Sequence, residues 1–152
     1  MPTVHALITQ IDNLMFLYPV PQKKHKIRNI GPSPMMKYPC GFFDGAAARN
    51  IGGAGFVIHL NADYCINFSL GCGSCSNTRA ELLALWAILR ARELMGLPMH
   101  TIFGDSLIII SWINRLATLN VPSLNHWCDD IRSMLLSTPH VIFKHIYREH
   151  NT

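Results

Sequence analysis

Long apolar runs are missing from this 152-residue chain: none approaches the roughly 18 residues of a membrane span, and no membrane partner is expected. The first thirteen residues carry no basic start and are interrupted by Asp12, so they do not read as a signal peptide. Charge is also scarce. Asp, Glu, Lys and Arg make up 14% of the residues against 49% hydrophobic, which suits one globular domain with a sizeable core. The five cysteines are odd in number and irregular in spacing, which argues against a disulfide scaffold. An intracellular location follows, with nucleus and cytosol equally open. No internal repeat is visible. Gly52-Gly-Ala-Gly55 lacks the lysine and following helix of a phosphate loop, and no small-molecule cofactor is expected.

The cationic excess is uneven. Residues 1–38 hold five Lys or Arg against one Asp, whereas residues 39–152 hold eight of each sign. The whole net charge of +4 therefore lies in the first quarter, and residues 117–131 contain no Lys or Arg at all. A polyanion bound to the compact part must be held by local contacts or by this tail. Residues 1–37 read as a flexible basic tail or linker, with five prolines nearby and the cluster Lys23-Lys-His-Lys-Ile-Arg28. Val4 to Tyr18 within it has helical apolar spacing.

Residues 38–152 read as the folded domain. Strands are expected over about 38–46, 53–60 and 64–70, linked by short turns as an antiparallel meander. Gly71–Asn77 reads as a loop, and Thr78–Met95 as a strong helix stopped by Gly96-Leu-Pro98. A fourth strand over 99–103, helices over 106–116 and 124–136, and a fifth strand over 140–147 complete the order βββαβααβ. That order predicts an α/β fold with a mixed five-stranded sheet and helices on its faces.

Three of the nine acids stand in informative places. Asp44 interrupts the apolar first strand, Glu81 opens the long helix, and Asp105 ends the fourth strand. A helical crossover allows the three to meet at one edge of the sheet. Carboxylates brought together repel, unless divalent cations hold them ionised. Oxygen donors without Cys or His favour Mg²⁺ or Mn²⁺. Each acid also has a plainer explanation: a Thr78-x-x-Glu81 capping box, a helix N-cap for Asp105, and turn chemistry for Asp44-Gly45. Cys72-Gly-Ser-Cys75 is a lone CxxC with no second pair, and reads as ordinary loop thiols rather than zinc ligands.

Phe43-Asp-Gly-Ala46, Asn77-Thr-Arg-Ala-Glu81, Gly104-Asp-Ser106 and Arg148-Glu-His-Asn151 resemble the ribonuclease H fold, and more closely its retroelement-derived, reverse-transcriptase-like domains of plants. Glu81 follows Asp44 by 37 residues and Asp105 follows Glu81 by 24. The resemblance implies two-metal endonucleolytic hydrolysis of RNA in RNA–DNA hybrids. It implies Asp44, Glu81 and Asp105 as catalytic metal ligands for Mg²⁺ or Mn²⁺, and Gly45, Asn77, Ser106 and Asn151 as nucleic-acid contacts. His150 stands where the family has an auxiliary histidine. The family's fourth metal carboxylate and closing helix would fall beyond Thr152, so the resemblance covers a fold without its C-terminal helix. A catalytically degenerate relic that binds nucleic acid without cleavage is the alternative expectation.

Overall fold

A computed structural model describes residues 20–21 and 37–147. The apolar runs form one sheet. Its strands are β1 (Val20–Pro21), β2 (Cys40–Ala48), β3 (Ile51–His59), β4 (Tyr64–Ser74), β5 (Thr101–Gly104) and β6 (Ile142–His145). The helices are α1 (Asn77–Met95), α2 (Leu107–Ile113) and α3 (Asn125–Leu136), the last entered through a 3₁₀ turn at Pro122–Leu124. In space the strands run β1-β4-β3-β2-β5-β6. β2, β3 and β4 pair antiparallel, and β2–β5 and β5–β6 pair parallel. The expected mixed five-stranded sheet is therefore present as β2 to β6. The sixth strand is short. Val20 and Pro21, inside the segment read as linker, pair antiparallel with Cys65 and Tyr64 at the edge of β4.

The hairpin between β2 and β3 is tighter than the glycine-rich turn expected. Pairing continues to Ala48 opposite Ile51, and the chain reverses at Arg49 and Asn50, both with positive φ (53° and 63°). Two such residues make the turn that matches the twist of the flanking strands. β4 also runs further than expected, through Cys72 to Ser74. The strand keeps its partner because a bulge at Gly52/Gly53 absorbs one extra residue, and Gly73 takes φ +64°.

α1 supplies the centre of the core. Leu82 to Leu89 are buried without interruption, so the helix is apolar all round rather than on one face. β2 and β3 lie on one side of it and α3 on another. Trp86 meets Trp127 of α3 edge-to-face at 5.3 Å, and the Trp86 Nε1–H donates to Asp130 at 2.5 Å. Asp130 thus turns inward from α3, because the indole N–H needs an acceptor. Arg132 closes α2 instead. Its guanidinium donates to the carbonyls of Trp112 and Ile113 and lies over the Trp112 ring at 4.6 Å.

Candidate nucleic-acid and metal site

Asp44 lies in the middle of β2, opposite Gly55 of β3, and is exposed. The turn explanation therefore does not apply to it. The turn is five residues further on, and Asp44 is an acid in a nine-residue strand. It borders an open trough of roughly 600 Å³ on the outer sheet face, together with Phe42, Gly53, Gly55, Asn67 and Ser69.

Register brings Asp105 alongside. The last β2–β5 pair is Phe43 with Gly104, so Asp44 and Asp105 are the next residues on neighbouring parallel strands. Adjacent strands run about 4.8 Å apart. The backbone at Asp105 is fixed from its other side, where His145 Nε2 meets the Asp105 carbonyl oxygen at 3.1 Å and the Ile146 N–H donates to the Gly104 carbonyl. Asp105 does not cap α2. That position belongs to Ser106, whose Oγ accepts from the Ile109 N–H at 3.3 Å.

Glu81 reaches the same place through a glycine. A Cβ on Gly45 would stand 2.2 Å from the Ala80 carbonyl carbon and 2.4 Å from the Glu81 nitrogen. The helix backbone occupies the space that a side chain would fill, one residue from Asp44. Here too the plainer explanation fails. α1 starts at Asn77 and is capped by Ser76, whose Oγ accepts from the Arg79 N–H at 3.2 Å. Thr78 lies inside the helix, and there is no capping box. Asn77 fastens the helix to the strand, its Oδ1 accepting from the Ala47 N–H at 2.6 Å.

The three acids thus share one region on three elements, each outside the structural role that would have explained it singly. Among the described residues, no group of three or more His, Cys, Asp or Glu is placed to hold a metal ion. Three carboxylates brought this near repel one another unless a cation lies between them. The donor set itself, carboxylate oxygens only, suits a hard divalent ion. His150 and Asn151 lie outside the described residues. The Ser76 cap and the contact of His145 with the Asp105 carbonyl were not expected from sequence.

The sheet order, the antiparallel meander and the parallel β2–β5 pair define the ribonuclease H fold, and solved structures agree. RNase H1 from the halophilic archaeon Halobacterium salinarum is 24% identical with a TM-score of 0.67, covering 74% of this chain and 88% of that one. The compost-metagenome LC11-RNase H1, solved in complex with an RNA/DNA hybrid, is 25% identical with a TM-score of 0.68 over the same shares. A foamy viral protease-reverse transcriptase in complex with dsDNA is 20% identical with a TM-score of 0.60, covering 74% and 86%. A family profile described as reverse transcriptase-like matches residues 42–152, and the chain belongs to that family as a retroelement-type ribonuclease H-like domain. Comparison with curated proteins finds none that matches.

Proposed function

We propose that this domain is a ribonuclease acting on RNA–DNA hybrids, with Asp44, Glu81 and Asp105 as its metal-binding carboxylates. One observation carries the reading. Strand register and the Gly45 contact bring three acids of three separate elements together, and none of them is the cap or turn residue that would account for it locally. Mg²⁺ or Mn²⁺ held there supplies an activated water and stabilises the leaving oxygen of a phosphodiester. The chain's own residues fix the geometry. Ser106, nearly buried and committed to its cap, sets the path after Asp105, and the His145 ring holds the Asp105 carbonyl. Asn77 keeps α1 against β2 through its oxygen, and its amide nitrogen has no partner among the described residues, so it is a donor for a sugar or base edge. Gly45 is buried against the α1 backbone and is assigned as a nucleic-acid contact on the resemblance alone. Asn151 and His150 are assigned as a further contact and an auxiliary group on the resemblance alone.

A second reading is nucleic-acid binding without cleavage, in keeping with similar structures solved with an RNA/DNA hybrid and with dsDNA. An end-labelled RNA–DNA hybrid separates the two. The first reading predicts cutting with Mg²⁺ or Mn²⁺ that EDTA abolishes, and a loss of about 100-fold or more in Asp44→Asn with hybrid binding retained. Binding by the intact chain without cutting under any ion condition would establish the second.

A further inference from the structure

The CxxC is not in an open loop. Cys72 is the extra residue of the β4 bulge and is fully buried; Cys75 follows the end of β4 and is 8% exposed. The two thiols are free and belong to one buried cluster, and the Cys72 Sγ lies 3.9 Å from the Leu70 carbonyl oxygen. The chain between them is shaped for this approach. Gly73 adopts φ +64°, a left-handed conformation that side chains other than glycine's rarely take. Gly52 makes room from the neighbouring strand, since a Cβ there would fall 2.1 Å from the Cys75 sulfur. A third group belongs to the cluster. The charge of Arg79, on the first turn of α1, acts on Cys72, and the buried Arg79 Nε has no hydrogen-bond partner among the described residues. Buried guanidinium N–H groups are normally satisfied.

We propose that Cys72 and Cys75 are a redox-sensitive dithiol that closes to a disulfide under a peroxide oxidant and thereby moves the start of α1. Cys75, the more exposed thiol, attacks the peroxide. Its S–H and the O–O bond break, giving a sulfenic acid and one water. The Cys72 sulfur then displaces the sulfenic oxygen, which leaves as a second water as the S–S bond forms. Two thiols lose two electrons, and the peroxide is reduced by two. The Arg79 charge, which favours the Cys72 thiolate, suits it to steady a thiolate or sulfenate in passage. Burial, then the neighbouring Cys75, push the Cys72 thiol up to about 11, against the pull of Arg79, so Cys72 is the slower thiol and suits the resolving role.

The consequence follows from what Cys75 is tied to. Its N–H donates to the Asn50 carbonyl at the β2–β3 turn, and the next residue, Ser76, caps the helix that carries Asn77 and Glu81. Bringing the two sulfurs to the bonded distance of about 2.05 Å must shift that junction. The effect on nucleic acid rests on the ribonuclease H reading; disulfide formation does not.

The test treats the full chain with limiting hydrogen peroxide, then maps its peptides and counts its thiols. A Cys72–Cys75 link that dithiothreitol reverses is expected, with hybrid affinity falling several-fold and recovering on reduction. Cys75→Ser should form no link and bind hybrid indifferently to peroxide. Should that variant misfold, Gly52→Ala serves instead: it displaces the Cys75 sulfur and should slow closure. Oxidation at Cys128 with Cys72 and Cys75 still reduced would overturn the proposal, as would irreversible sulfinic acids at the pair. If the reduced chain binds no hybrid, the functional reading fails separately. The melting temperature of oxidised against reduced chain then decides, and an unchanged value overturns the switch.

Discussion

Among single residues, Gly45 links the strand to the helix most directly. Because its Cβ position is filled by the Ala80 and Glu81 backbone rather than by a flexible side chain, nothing there can give way cheaply. Gly45→Ala should therefore destabilise the domain by about 1–3 kcal/mol and displace Glu81. A urea titration, with hybrid cleavage run beside it, should show both losses together. His59 makes a second case. It is 3% exposed and meets the Phe42 ring edge-on at 5.3 Å, and burial lowers its pKa below the ordinary 6.5. As pH falls through 6.5 the unfolded chain takes up the proton first. Stability is therefore full above that pH and declines below it until the lowered folded value is passed. His59→Phe should remove part of the drop in urea midpoint between pH 7.5 and 5.5. The acids were legible from sequence because a carboxylate in an apolar run is conspicuous. The capping partners were not. Ser76 and Thr78, two residues apart, are both acceptable caps, and only the helix start decides between them.

Across elements, α1 with α3 holds the layer on which the sheet rests. The Trp86–Asp130 hydrogen bond joins an indole buried under the sheet to a carboxylate on α3, 44 residues later. Trp86→Phe keeps most of the apolar area but leaves Asp130 without that donor. The expected cost is about 1–3 kcal/mol, read as a lower urea midpoint at unchanged slope. Asp130→Asn should cost less, since an amide oxygen still accepts. Element type and order were readable because periodicity changes cleanly from 2 to 3.6 along the chain. The extent of β4 was not. Gly71-Cys-Gly-Ser carries loop residues, and it stays in the sheet only because the edge of β3 continues past it and a bulge takes up the extra residue. The pairing of Val20–Pro21 was hidden for a similar reason: a strand of two residues has no period to detect.

For the whole molecule, the fold works by converging distant stretches. Asp44 and Asp105, 61 positions apart in the sequence, become neighbours through one parallel pairing, and α1 delivers Glu81 against the same strand. That convergence was inferable from the topology. The site therefore predicts a specific linkage between cation and stability. Without a divalent ion, removing one charge relieves repulsion, so Asp44→Asn should melt at or slightly above the wild-type temperature. With Mg²⁺ or Mn²⁺ at about 100 times its dissociation constant, the wild type should gain about 2.7 kcal/mol. The most direct measurement is a thermal melt of wild type, Asp44→Asn, Glu81→Gln and Asp105→Asn, each with Mn²⁺ and with EDTA. A Mn²⁺-dependent rise of several degrees in the wild type alone is the expected result. An equal rise in all four, or none in any, would contradict the assignment of these three carboxylates to one cation site.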